Sequence, residues 1–396
     1  MRQTNWNVLL LAVCQALLAT GNAVVITTSA LVGQILGPEG LATLPLFLQF
    51  VAVMAIALPA SFLMKRIGRR PGFAVGACFA IGAGLMGWVA ILIGSFWLFC
   101  LASAGYGVFM GFGMYYRFAA ADVAEPAFRP RAISYVLAGG VVAAIAGPEL
   151  AKATAELFAP ALFAGCFAAI AVLGAATVLV LSFVTIPPPG EEERSGRGRP
   201  LSAIVRQPAF LVALGGAALA QGAMVLVMTA TPLAMALCGH AFNDTAFVIQ
   251  WHVLGMFAPS FFTGHLIGRF GTLNIMVAGA GLMLACLGVA LSGVEIVQFW
   301  AALVLLGVGW NFMFIGGTTL LTTTYSPPEK AKVQALNDLL TFATAALASL
   351  CSGILHHLIG WQAVSLSMIL PLLAMMAAIF WLKRHDPGTS MGPATS

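Results

Sequence analysis

Two pairs of soft-ligand side chains occur at helical spacing in the second half of the sequence. Met224 and Met228 are four residues apart, and so are His252 and Met256. Because residues i and i+4 lie on one face of an α-helix, each pair would present its two ligating groups side by side. Thioether sulfur is a ligand for Cu(I) rather than for Mg²⁺ or Ca²⁺, and imidazole also suits copper. A copper site is therefore one interpretation of this spacing.

Further sulfur and imidazole groups lie close to these pairs in the sequence. Met235 continues the helical face of Met228, and Cys238 and His240 follow at the end of the same apolar run, so we expect all three on the path of the ion. Met110 and Met114 are secondary candidates. A methionine stripe on a membrane helix is also ordinary core packing, because the thioether is apolar and flexible. Spacing alone leaves both interpretations open.

Composition excludes most other classes of function. The chain has 396 residues, of which 61% are hydrophobic and 8% are charged. Soluble domains are about 25% charged, so the sequence predicts a polytopic membrane protein. The net charge of +5 is spread over short loops, which argues against nucleic-acid binding.

The chain has no phosphate loop or Ser/His/Asp set, so we do not expect an enzyme. Its seven cysteines form no CxxC spacing, so neither a disulfide framework nor a structural metal site is expected.

Twelve apolar segments, each long enough to cross a bilayer, follow one another along the chain. They predict an all-α membrane protein with spans at roughly 8–36, 42–64, 72–94, 96–118, 132–157, 160–184, 209–237, 245–267, 273–292, 295–324, 332–357 and 361–383. With the N-terminus in the cytoplasm, every Lys and Arg except Lys152 falls inside or at the inner edge, as the positive-inside rule requires. Both termini are therefore predicted to be cytoplasmic.

The chain divides into two related halves. A proline-, glycine- and charge-rich stretch separates the spans six and six, which predicts an N-terminal half over 1–186, a cytoplasmic linker over 187–207 and a C-terminal half over 208–396. A basic loop follows span two, and a similar one follows span eight. Parallel six-helix repeats of this kind predict a solute site near the membrane midplane, between the halves.

These two loops resemble motif A of the major facilitator superfamily, and the topology resembles that superfamily over nearly the whole chain. The first loop matches the motif at Arg66, Gly68 and Arg70, and the second matches it at Gly264, Arg269 and Gly271. The resemblance implies that these loops take part in gating. The acidic residue of the motif is absent from both copies, where Lys65 and Gly268 stand in its place.

Within the superfamily, the two soft-ligand pairs are similar to the paired signature of CcoA-type copper importers of the bacterial inner membrane. The order of the pairs, their placement on spans seven and eight and the gap between them all agree. The resemblance implies that Met224, Met228, His252 and Met256 contact copper, which is the transported substrate, with no separate cofactor. It also implies that the imported copper supplies assembly of a cbb-type cytochrome oxidase. The expected partners are copper, membrane lipid and cytoplasmic copper-binding proteins, and the expected working unit is a monomer.

We therefore expect copper import by alternating access. Asp338 is the one acid at membrane depth that suits proton coupling, and a contact with Asn337 near the start of span eleven is its alternative role. Two other functions stay open. One is a proton-coupled exporter of small hydrophobic compounds, and the other is a membrane copper sensor or assembly factor that does not transport.

Overall fold

The structure is a computed structural model, and it describes residues 2–124, 129–186 and 199–385. All regular secondary structure in these ranges is helical. The first part of the chain forms α1 (Arg2–Leu36), α2 (Leu44–Ile67), α3 (Arg69–Leu92), α4 (Phe96–Gly113), α5 (Tyr116–Val123), α6 (Arg129–Thr154) and α7 (Ala164–Ser182). The remainder forms α8 (Leu201–Ile204), α9 (Pro208–Leu237), α10 (Phe242–Phe257), α11 (Ser260–Phe270), α12 (Thr272–Ser292), α13 (Ile296–Thr322), α14 (Lys330–Leu358), α15 (Trp361–Ser367) and α16 (Ile369–His385).

Each of the twelve predicted spans coincides with one helix or with a pair of consecutive helices. Ten helical segments of the described chain are long and apolar enough to cross a membrane, and the pair α10–α11 adds an eleventh. The helix α6 occupies the position of the predicted fifth span. Helical geometry is expected throughout, because only a helix satisfies its own backbone hydrogen bonds within the hydrocarbon region.

The predicted eighth span is broken, which the sequence analysis missed. α10 and α11 meet at an angle of 43° around Ala258 and Pro259. Proline has no amide hydrogen and clashes with the preceding turn, so a helix cannot run through it undisturbed. The bend places the predicted ligands His252 and Met256 on α10 and the second basic loop at the end of α11.

The described chain forms two compact units. The first contains the residues up to 186 together with Ala241–Gln250, and the second contains those from 199 to His240 and from Trp251 to 385. Most of the predicted linker, 187–198, lies outside the described residues. Its last part, 199–207, forms α8 with its flanks and belongs to the second unit.

In the first unit, α1 packs on α6 and α7, α2 packs on α4, and α3 packs on α4 and α7. Glycine permits the closest of these approaches. A Cβ atom on Gly107 of α4 would collide with the carbonyl oxygen of Gln49 on α2. Small residues at such crossings let helix backbones approach closely in a membrane protein.

In the second unit, α13 is the helix around which the candidate site is built. It packs on α9, α11 and α12. Gly255 of α10 also lies against it, because a Cβ atom there would be 3.1 Å from the carbonyl oxygen of Val304. Behind the site, Ile204 of α8 and Phe210 of α9 are fully buried in an apolar cluster with Leu320 and Val333.

Candidate functional site

Met224 and Met228 are packed inside the protein. Their exposed fractions are 4% and 3%, and Met235 is fully buried. The helix that carries them, α9, packs on α13 and α14. A flexible thioether fills irregular space between helices well. Packing therefore accounts for these three methionines without a metal ion.

His252 is fully buried, and its ring orientation is fixed by α13. Its Nδ1 atom lies 2.8 Å from the carbonyl oxygen of Leu303. A carbonyl oxygen can only accept a hydrogen bond, so Nδ1 carries the hydrogen and Nε2 of the neutral ring is unprotonated. Nε2 is buried and has no hydrogen-bond partner among the described residues. His252 is thus a hydrogen-bonded core residue with one free acceptor.

Met256 lies one turn further along α10, where polar side chains join α10 and α11 to α13. Asn311 of α13 donates from Nδ2 to the carbonyl oxygen of Met256 at 2.6 Å and lies 2.7 Å from the hydroxyl of Ser260. Its Oδ1 accepts from the hydroxyl of Thr263 at 2.6 Å. This bonding fixes the rotation of α13 about its axis.

The two predicted ligand pairs therefore lie on helices that both contact α13. In the described ranges, no group of three His, Cys, Asp or Glu side chains lies close enough together to hold a metal ion. Helix packing and one backbone hydrogen bond account for the burial of Met224, Met228 and His252.

The predicted entry path is made of surface contacts. Cys238 is exposed at the C-terminal end of α9. His240 is half-buried, and its Nε2 donates to the carbonyl oxygen of Val294 at 2.7 Å. The ring of His240 also meets Phe299 edge to face, with the centroids 5.9 Å apart. This imidazole holds the end of α9 to the connection between α12 and α13.

The secondary candidates Met110 and Met114 lie in different environments. Met110 contributes its sulfur to a polar cluster in the first unit, where Gln49 donates from Nε2 to the sulfur at 2.9 Å and to Oδ1 of Asn22 at 3.0 Å. The other amide atom of Gln49, Oε1, is buried without a partner among the described residues. Met114 is half-buried at the end of α4.

The two loops that resemble motif A have the same backbone conformation. Gly68 has φ 95° and ψ 158°, and Gly271 has φ 85° and ψ 148°. This region of φ/ψ space is essentially restricted to glycine. Arg66 and Arg269 are exposed nearby, and Gly264 lies on the open side of α11 with no atom near its Cβ position.

Two arginines at the first loop bind groups on other helices, and one of these contacts is an ion pair. Arg70 donates to the carbonyl oxygen of Ser182 at 2.7 Å. Arg69, one residue before it, forms an ion pair with Asp122 of α5 at 2.5 Å. An acid from another helix thus lies beside this loop. Asp122 could not be assigned to this loop from the sequence, because it is distant from Arg69 in the chain.

Asp338, the predicted coupling residue, is half-buried on α14. Its Oδ1 accepts a hydrogen bond from Asn337 at 3.3 Å. This contact corresponds to the alternative role expected from the sequence.

Sequence reasoning also missed a neutral polar and aromatic cluster on α9 and α13. Trp310 donates from its indole nitrogen to Oε1 of Gln221 at 3.0 Å. Phe314 stacks on Trp310 with the ring centroids 4.8 Å apart and the planes 12° apart. A glutamine within an apolar run and two aromatics at i and i+4 are visible in the sequence. Neither signal is specific, because neutral amides and aromatic side chains are common in membrane helices whether or not they bind a ligand.

Comparison with known proteins identifies the family. A sequence model of the Major Facilitator Superfamily matches residues 11–258 and 218–395. The chain belongs to the major facilitator superfamily. Its all-helical architecture agrees with that fold, and the predicted fold class is confirmed, whereas the cytoplasmic placement of both termini stays a prediction. The family is one of transporters, so this chain is a multi-pass integral membrane transporter.

The chain is similar to two sequence relatives and to one solved structure. A riboflavin transporter of Brucella anthropi is 39% identical over 387 residues, which cover 97% of each chain. An uncharacterised transporter of the same superfamily from Bacillus subtilis is 31% identical and covers 91% of this chain and 87% of the relative. A crystal structure of a bacterial homologue of the human lysosomal transporter Spinster superposes with a TM-score of 0.73 over 99% of both chains at 15% identity, which shows the shared fold.

The prediction of copper import is wrong. A relative with 39% identity over nearly the whole chain is a riboflavin transporter, which indicates a different substrate. The CcoA-type subfamily is likewise not confirmed. The physical reason for the error is that methionine is both a soft ligand and a packing residue, so Met-x-x-x-Met spacing does not separate a metal site from a buried helix face.

Proposed function

We propose that this protein transports riboflavin, or a flavin of the same neutral three-ring chemistry, across a bacterial inner membrane by alternating access. The observation that carries the proposal is the 39% identity to a riboflavin transporter over 97% of both chains. Similarity over this length includes every described membrane helix rather than a single motif.

The chemistry of the spans suits such a substrate. The hydrogen-bonded polar groups within the spans include amides and an indole nitrogen, such as Gln49 with Asn22 in the first unit and Gln221 with Trp310 in the second. A charged substrate would call for charged partners at membrane depth, where ionisable groups are costly and functional. Riboflavin is uncharged at neutral pH, and it presents an aromatic face, ring carbonyls and a hydroxylated chain. Amide and aromatic side chains can bind all three.

Growth and uptake test the proposal directly. The gene would be expressed in a riboflavin-auxotrophic bacterium that lacks a riboflavin importer, with growth followed at limiting riboflavin. We expect growth at concentrations that do not support the empty-vector strain, together with accumulation of radiolabelled riboflavin. Efflux from preloaded cells measures transport in the opposite direction.

Two controls make the result specific. A known riboflavin transporter in the same host confirms that the host can respond, and immunoblotting of membranes confirms that this protein is present. Growth and uptake equal to the empty vector, with the protein present and the known transporter active, would refute the proposal. A copper chelator should leave riboflavin uptake unchanged.

A further inference from the structure

A side-chain cluster near the middle of the membrane joins two antiparallel helices of the second unit. Gln221 lies near the centre of α9, and Trp310 lies near the centre of α13. The two helices are in close contact, because a Cβ atom on Gly317 would be 2.9 Å from the carbonyl oxygen of Ala213. The hydrogen bond between Trp310 and Gln221 lies about two turns further along α9.

Gln221 has hydrogen-bonding capacity that the protein does not use. Its Oε1 accepts from Trp310, so Nε2 and its two hydrogens point away from the indole. Nε2 has no hydrogen-bond partner among the described residues, and the side chain is half-exposed. An amide donor directed at lipid would lose hydrogen bonds that are expensive to leave unmade. Gln221 therefore faces water or a polar ligand.

On the face that carries this cluster, partial exposure runs along each helix and ends at Gln221 and Trp310. On α9 the half-exposed residues include Leu214, Ala218 and Gln221, which share one helical face. On α13 they include Phe314 and Thr318. Trp310, the next residue on that face, has an exposed fraction of only 9%. The half-exposed residues on these faces of α9 and α13 therefore extend from one end of the two helices to their middle. There Trp310 is buried and the exposed face ends.

The cluster matches the ring system of a flavin. We infer that Phe314 stacks against the three-ring face of the substrate while the Gln221 amide donates to a ring carbonyl, with Trp310 as the positioning residue that orients both. The inference rests on the proposed function and assigns residues to it. Phe314 supplies a flat apolar face, and its other face is supported by the nearly parallel indole of Trp310. The Trp310 N–H fixes the Gln221 amide so that its NH₂ group is presented outward.

Transport kinetics of single variants test the assignment. Replacing Phe314 by Leu removes the aromatic face. The loss of stacking on this ring should raise KM for riboflavin about tenfold or more. Phe314→Tyr keeps the ring and should keep KM near the wild-type value. Gln221→Leu should also raise KM. Trp310→Phe keeps the stack but leaves Gln221 unanchored, so it should raise KM by a smaller factor than Phe314→Leu.

The matched control is Phe262→Leu, the same change at an exposed phenylalanine of α11 in the same unit. It should leave KM unchanged. Binding to purified protein in detergent gives a second readout, because flavin fluorescence is quenched when the ring stacks on an aromatic side chain. In the wild type, lumichrome, which has the rings without the ribityl chain, should displace riboflavin, and ribitol should not.

The outcomes separate this inference from the proposed function. Wild-type protein that neither transports nor binds riboflavin refutes the function and, with it, this assignment. Active wild-type protein with unchanged KM and unchanged quenching in Phe314→Leu and Gln221→Leu refutes the assignment alone. Displacement of riboflavin by ribitol rather than by lumichrome also overturns it, because the ring would then not be the part that is held.

Discussion

Arg199 and Glu329 form a bidentate ion pair that joins the segment before α8 to the start of α14. The guanidinium donates from Nε to Oε1 at 2.9 Å and from Nη2 to Oε2 at 2.8 Å. Glu329 also accepts from the backbone amides of Arg199 at 2.6 Å and Ser326 at 2.9 Å, and Lys332 donates to the carbonyl oxygen of Arg199. This carboxylate thus joins two stretches of chain, at Arg199 and at 326–329, at the end of the helices that is predicted to be cytoplasmic.

The ion pair between Arg199 and Glu329 should make the stability of the protein depend on pH. Hydrogen bonds from Arg199 and Ser326 hold the pKa of Glu329 well below its ordinary value of 4.5. Between the folded and unfolded pKa values the unfolded chain binds more protons, so stability rises with pH there. The stabilisation is complete at neutral pH and is lost as the pH falls below about 4.5. Glu329→Gln should lower the melting temperature in detergent at pH 7. As the pH falls, the melting temperature of this variant should decrease less than that of the wild type.

The control for this prediction is Glu149→Gln, the same acid-to-amide change in an exposed ion pair with Lys152 on α6. Exposed pairs of this kind contribute little to stability. An equal loss of melting temperature in both variants would contradict a special role for Glu329.

Gly68 and Gly271 should be equally intolerant of a side chain. Both have φ and ψ values that L-residues rarely adopt, so Gly68→Ala and Gly271→Ala should each cost about 1–3 kcal/mol of stability. Gly264→Ala is the matched change, because Gly264 is helical and has open space at its Cβ position. It should be neutral or stabilising by up to about 1 kcal/mol. Thermal unfolding in detergent measures all three, and losses of the same size at Gly264 and Gly68 would contradict the conformational explanation.

Gly107 should also be intolerant of a side chain, but for a different reason. The limit there is the space between α2 and α4 and not the backbone conformation. A Cβ atom there would collide with the carbonyl oxygen of Gln49, so Gly107→Ala must push α2 and α4 apart at a cost of about 1–3 kcal/mol. The shift would also disturb the hydrogen bonds from Gln49 to Asn22 and Met110. Gly82→Ala on α3 meets no atom within 4 Å and is the control. A melting temperature of Gly107→Ala at or above that of Gly82→Ala would show that the helices separate without cost.

The spans could be predicted from the sequence because hydropathy and helix length are local properties. The predicted segment 209–237 agrees with the helix Pro208–Leu237, and 273–292 agrees with Thr272–Ser292. The bend before Ser260 was missed, although Pro259 within an apolar run is a local signal for it.

The site could not be predicted in the same way, because its residues acquire meaning from tertiary contacts. Gln221 and Trp310 are distant in the chain, and only the register between α9 and α13 brings them to 3.0 Å. Likewise, Asp122 reaches Arg69 only through the packing of α5. The spacing of Met224 and Met228 was read correctly as one helical face, but spacing does not say whether that face meets a ligand or another helix.

Substitution of the buried methionines separates packing from metal binding. Leu has nearly the volume of Met, so Met224→Leu and Met228→Leu should each cost less than about 1.5 kcal/mol and leave riboflavin uptake near wild type. Met224→Ala leaves a cavity in a site that is 4% exposed and should cost about 2–5 kcal/mol. A ligand that binds the folded state raises the melting temperature. Cu(I) should therefore leave the melting temperature of the wild type unchanged, because both methionines are buried on α9, which packs on α13 and α14. A rise with Cu(I) that disappears in Met224→Leu would show instead that these sulfurs bind the ion, and packing alone would no longer explain their position.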